Sequence, residues 1–202
     1  GETAEVVDFV ENMVQKQESE PRPTRFINAV HNSLASQIAL HFGWTGECHT
    51  FKHHILSFET ALQESCWILA QKRAATVLCC GADAQVSYVL QAGLAYRWWD
   101  SSPVPPCPLG GGDRTVPGEG AAAFLLGRAD EKATEGVQLL GVSAAPRDPT
   151  QPPHLAAIDL CHSARWDPAQ LDLILLGANG SARSDRDHRD FLRALGGSSQ
   201  AL

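Results

Sequence analysis

The residues best equipped for chemistry are gathered between Cys48 and Ser57: Cys48-His49, then His53-His54, then Ser57 itself. A thiolate is the nucleophilic form of cysteine, and a nearby imidazole can take its proton. Cys48 with His49 or His53 is therefore a candidate pair for acyl transfer or other thioester chemistry. Cysteine and histidine are also zinc ligands. On an extended strand, though, Cys48 and His49 point to opposite faces, as do His53 and His54, so the four do not converge without a bend. No metal site is expected.

Three elements must position these side chains. A glycine-bounded turn at 43–46 comes first, then a short extended strand at 48–52. A helix follows from Ser57 to about Arg73, because Phe58, Ala61, Leu62, Cys66 and Leu69 recur at three and four. Ser57 is its expected N-cap, and Lys72 and Arg73 suit its C-terminal dipole. A strand running into a helix N-terminus is a place where negative charge is stabilised, so this junction is the candidate site.

The flanking elements follow from the same periodicities. Residues 3–17 predict an amphipathic helix, 18–24 a Pro-bearing loop, and 25–42 a second helix closed by Gly43. The apolar run 74–83 predicts a strand buried on both faces. Residues 87–99 read as helix or loop, and 101–117 as a long loop with a Gly110-Gly111-Gly112 run. That run lacks the Lys-Ser/Thr of a phosphate loop, so no nucleotide cofactor is expected. A buried strand at 121–126 and a partner at 137–145 suggest an edge hairpin. A helix at 154–162, a strand at 171–176 and a helix at 187–195 complete an alternation that predicts an α/β fold.

Composition excludes several function classes. A net charge of −7 argues against a nucleic-acid partner. No apolar run reaches the ~18 residues of a membrane span, and no signal peptide is visible. The six cysteines are irregularly spaced with no Cys-x-x-Cys pair, which favours reduced thiols and a cytoplasmic location. Trp98-Trp99 beside Arg97 can be a partner-binding anchor or part of the core. Arg183, Arg186 and Arg189 alternate with Asp185, Asp187 and Asp190, which reads as a solvated helix face.

Three segments in register resemble a known family: RFINAVHNS (25–33) with the turn and SFETAL (57–62), then DRTVPGEGAAAFLL (113–126), then LDLILLGANGS (171–181) with Asp185. Together they resemble the N-terminal half of a β-ketoacyl synthase, and among these the chain-length-factor-like partners of aryl-polyene-type synthases. The resemblance implies a thiolase-like half with a mixed β-sheet covered by helices on both faces. It also implies a single domain over 1–202 that lacks the first strand and the C-terminal half of the full fold. The family's nucleophilic cysteine falls on Ile55, and its first catalytic histidine falls on Gly177. Isoleucine offers no nucleophile, so the resemblance implies a catalytically inactive subunit. Its expected partners are an active β-ketoacyl synthase and acyl carrier protein. Two other readings stay open: a small thioester-handling enzyme using Cys48 with His49 or His53, and a homodimeric or larger binding module.

Overall fold

The computed structural model describes residues 2–19, 23–53, 56–99, 107–110, 115–129, 136–144 and 150–194. They fall in two compact units, Gly1–Val89 with Gly118–Arg128, and Leu90–Pro117 with Ala129–Leu202.

The first unit opens with three helices, α1 (Glu2–Gln15), α2 (Pro23–Ala29) and α3 (Ser33–Phe42). Proline at the head of α2 is tolerated because its missing N–H would be unpaired there anyway. Helix α1 packs on α2 with the Phe9 and Phe26 rings 5.7 Å apart. Arg25 donates to the Asp8 carbonyl oxygen at 3.2 Å across the same contact. The expected single helix over 25–42 is thus two helices. The chain turns at 30–32, where the Ser33 N–H bonds the Val30 carbonyl and the Ser36 N–H bonds the Asn32 carbonyl.

Gly43 ends α3 as expected, at φ 67°, with its own N–H on Leu40 and the Trp44 N–H on Ala39. A left-handed residue here satisfies carbonyls that the helix leaves open. Space around Gly43 is free, so only the backbone conformation penalises a side chain. Gly43→Ala is expected to destabilise by about 1–2 kcal/mol, read from urea unfolding.

Helix α4 (Ser57–Ala70) lies against β1 (Thr76–Asp83), which pairs antiparallel with β2 (Gly120–Gly127). Cys79 faces Phe124 in the register, and the Phe124 ring meets Phe58 of α4 at 5.7 Å. Gly81 leaves room for the Phe58 ring, since a Cβ there would stand 3.0 Å from it. Ile68, Leu69 and Cys79 are the buried apolar residues of this contact. Burial pushes the Cys79 thiol up, against a weaker downward pull from the Ser65 hydrogen bond. One face of α1, with Val6, Val7, Val10 and Glu11, lines a groove of about 360 Å³ with Tyr88.

The boundary between the units falls within α5 (Ser87–Ala95). The second unit holds the rest of α5, then α6 (Pro153–Ser163), a short 3₁₀ turn at Pro168–Gln170, and α7 (Ala182–Ala194). Helix α6 packs on α7 and on the 3₁₀ turn. Trp99 folds back on α5, where its Nε1 donates to the Leu90 carbonyl at 3.1 Å. Trp98 instead faces outward and stacks on Tyr96 at 5.6 Å.

Several expectations are corrected. Residues 48–52, 137–144 and 171–176 make no strand. Ala145 lies outside the described residues. Each of these runs has strand-like composition, but a strand exists only where a second backbone meets its N–H and C=O groups. The expected hairpin of 121–126 with 137–145 is replaced by the pairing of β2 with β1. Strand β2 is also largely exposed rather than buried, and β1 is fully buried only at Cys79. Among the described residues the sheet has two antiparallel strands, and the expected α/β class stands. Helix α7 begins at Ala182, five residues before the expected Asp187.

Candidate functional site

The stretch from Gly46 to His53 forms no helix or strand, and polar side chains hold it. Glu47 is its anchor. Its carboxylate accepts from Arg73 Nε at 3.2 Å and from Arg73 Nη2, and it meets His49 Nε2 at 3.1 Å. Arg73 lies just beyond α4, so this cluster ties the stretch to the far end of that helix. The His49 ring also stacks on Phe51, with centroids 6.3 Å apart and planes 11° apart. Nearer the junction, Lys52 Nζ stands 3.3 Å from His31 Nδ1.

The hydrogen bond from His49 and then the one from Arg73 hold the Glu47 carboxyl below its ordinary value. A depressed folded-state value means the contact stabilises above the ordinary carboxylate range and is lost as pH falls through the depressed value. Arg73→Gln should move the Glu47 titration back toward the ordinary value, as followed by side-chain carboxyl NMR. An unchanged midpoint would show that His49 alone sets it.

At the head of α4 the expected cap is reversed. Ser57 is the first helical residue and Leu56 occupies the cap position. The Ser57 Oγ accepts the His53 backbone N–H at 2.8 Å, and the Leu56 N–H bonds the His53 carbonyl at 2.7 Å. The serine thus braces the turn that precedes the helix. Cys48, His49 and His53 are all exposed, and the His49 ring is engaged by Glu47. His54 and Ile55 lie outside the described residues. Among the described residues no group of three or more His, Cys, Asp or Glu is placed to hold a metal ion.

The segment with Gly177 is built around a residue that the sequence reading assigned to a solvated face. Asp185 is 1% exposed, the most buried polar residue described. Its Oδ1 accepts the N–H groups of Asn179 at 3.1 Å and Gly180 at 3.3 Å, and its Oδ2 accepts that of Leu109 at 2.7 Å. Arg189, one turn along, donates to the Leu109 carbonyl at 3.2 Å. One carboxylate and one guanidinium on α7 thereby fix the loops at 107–110 and 179–180. Asn179 adds a local bond, its Oδ1 accepting the Ser181 N–H at 3.0 Å. An aspartate set between Ser184 and Arg186 gives no periodic signal of this burial.

Glu119, in the Gly-Glu-Gly turn, accepts the Gln85 N–H at 3.1 Å, while the Gln85 side chain donates to the Gly118 carbonyl at 2.6 Å. These bonds tie the end of β1 to the start of β2, so Glu119 is a structural partner.

The model of the β-ketoacyl synthase N-terminal domain matches residues 4–132, well over half of the chain. The chain belongs to the β-ketoacyl synthase family. The citrinin polyketide synthase of Monascus ruber is 28% identical over 182 residues, covering 81% of this chain and 7% of that protein. The citrinin synthase of Monascus purpureus gives the same figures. The chain thus spans a small part of the curated relatives it matches. Solved structures share its fold. A β-ketoacyl synthase from Burkholderia phymatum STM815 aligns with a TM-score of 0.74 at 16% identity, covering 95% of this chain and 51% of that one. A type II polyketide synthase acyl-carrier protein in complex with its ketosynthase also gives 0.74, at 13% identity over 98% and 54%. The ishigamide ketosynthase/chain length factor gives 0.68, at 19% identity over 94% and 51%. The fold is the thiolase-like α/β fold of the ketosynthases.

Proposed function

We propose that this chain is a catalytically inactive, chain-length-factor-like ketosynthase subunit. It acts with an active β-ketoacyl synthase on chains carried by acyl carrier protein, in fatty-acid-like, polyketide or aryl-polyene biosynthesis. The observation that carries the proposal is Ile55. In the sequence resemblance Ile55 falls at the family's cysteine position and Gly177 at its histidine position, and this supports the reading. A synthase needs a thiolate there to hold the growing acyl chain as a thioester, and a branched alkyl group cannot form that bond. Likeness to the ishigamide ketosynthase/chain length factor supports the pairing, and likeness to the acyl-carrier-protein complex supports the carrier. No helix among the described residues is long and apolar enough to cross a membrane, which accords with work in the cytoplasm.

The test is the purified chain alone with acyl- and malonyl-loaded acyl carrier protein. No condensation above the protein-free blank is expected, and measurable turnover would refute the proposal. A thiol-directed acyl probe supplies a second arm. Selective labelling of wild type that disappears in Cys48→Ala would replace this reading with an acyl-transfer enzyme.

A further inference from the structure

We infer that the groove between α1 and Tyr88 is the docking site for a basic amphipathic helix of a partner protein. The partner's apolar side chains would sit on the valines, and a lysine or arginine beside them would pair with Glu11. The inference does not rest on the ketosynthase-like reading and holds whether or not the chain condenses acyl groups. Both walls of the groove belong to the first unit. Helix α1 has two apolar sides. One meets α2 through Phe9 and Phe26. The other carries Val6, Val7 and Val10 and forms, with Tyr88, the groove of about 360 Å³. Val10 and Tyr88 are 50% and 54% exposed, and Val14 continues the row at 71%. Val7, Val10 and Val14 recur at three and four, so they share one side of the helix. A contiguous exposed apolar row of this kind marks an interaction surface.

Shape and charge select the occupant. From Val6 to Val14 the row runs about 12 Å along the helix axis. An occupant that covers it is elongated and lies along α1, as when one helix seats its i, i+3 and i+7 side chains on another. Glu11 is the charged group among the lining residues. Its carboxylate has no ion pair with another described residue, whereas Asp8 is met by Arg25 at 4.0 Å. Helix α1 carries Glu2, Glu5, Asp8 and Glu11 and neither lysine nor arginine. A second copy laid on this side would set these acidic groups against their own kind, with a net charge of −7 on each chain. A partner helix with lysine or arginine beside its apolar row meets Glu11 with the opposite sign.

The experiment uses the full chain with ¹³C-labelled valine methyls and two ~20-residue peptides, long enough to form a helix on a surface. Both carry leucines at i, i+3 and i+7. One flanks them with lysines, its twin with glutamates. The lysine peptide should shift the Val6, Val7 and Val10 methyls and bind about tenfold tighter than its twin. Glu11→Lys should weaken the lysine peptide about fivefold and strengthen the twin by a similar factor. Glu11 is exposed, so this variant keeps the fold. Val10→Asp should weaken both peptides. Valine methyls unmoved at saturating lysine peptide would overturn the inference. So would an unchanged preference in Glu11→Lys, which would mean that net charge alone attracts the peptide. A dimer of the unliganded chain in light scattering, lost in Val10→Asp, would overturn it too, by giving the groove to a second copy.

Discussion

Replacing Asp185 with alanine should lower stability by about 3–5 kcal/mol, the largest loss expected from any single polar substitution in this chain. Three backbone N–H groups, of Leu109, Asn179 and Gly180, converge on this one buried carboxylate. Alanine would strand them, and an unpaired buried donor costs about 1–3 kcal/mol. Asparagine separates shape from charge. Its single oxygen can keep the Asn179 and Gly180 donors, but its amide nitrogen then faces the Leu109 N–H, donor against donor. Asp185→Asn should therefore cost about half as much as Asp185→Ala. Urea unfolding gives the magnitude, and hydrogen exchange gives the location. The amides of Leu109, Asn179 and Gly180 should exchange faster together. Unchanged protection at Leu109 would show that the link across the intervening sequence is not energetically coupled.

Gly93→Ala should also destabilise, by about 2–4 kcal/mol, although alanine is the better helix former by about 1 kcal/mol. Gly93 is buried in α5, and a Cβ there would overlap the Trp99 indole outright. The ring is not free to yield, because its Nε1 is bonded to the Leu90 carbonyl at 3.1 Å on the same helix. Relief requires giving up that bond and exposing the indole. A lower thermal midpoint and a red-shifted tryptophan emission should appear together. Trp99→Phe, which removes the fused ring, should restore part of the midpoint in the Gly93→Ala background. A stabilised Gly93→Ala would mean that helix propensity outweighs the overlap.

These two positions show what could and could not be read from residue order. Helices α1 and α4 and strand β1 were legible because each carries its own period or apolar run. So was the glycine that closes α3, whose left-handed backbone is a local property. The break at 30–32 was not, since no proline or glycine marks it and the bonds that hold it, backbone ones and that of Gln37 Nε2 to Asn28 Oδ1, leave no periodic signal. Strand content is over-read at 48–52, 137–144 and 171–176, because an apolar run does not reveal whether a second strand lies beside it. Asp185 was hidden for a related reason. Its neighbours in sequence are polar or charged, while one of the N–H groups that it accepts is 76 residues away. At the candidate site, composition pointed to Cys48, His49 and His53. The geometry spends the His49 ring on Glu47 and leaves Cys48 and His53 exposed.

The pairing of β1 with β2 also sets a schedule for the ribosome. Between Asp83 and its partner Gly120 lie 36 positions of chain, most of them belonging to the other unit. At ~5–20 residues per second, β1 is finished about 2–7 s before its partner is made. During that interval α4 can already cover one side of Val77–Cys80, but β2, the strand's partner among the described residues, is not yet made. The nascent chain therefore carries an open apolar edge for seconds, the window in which a trigger-factor-like chaperone would be needed. Synonymous codons that slow the ribosome across 84–119 should lower soluble yield without changing a single residue.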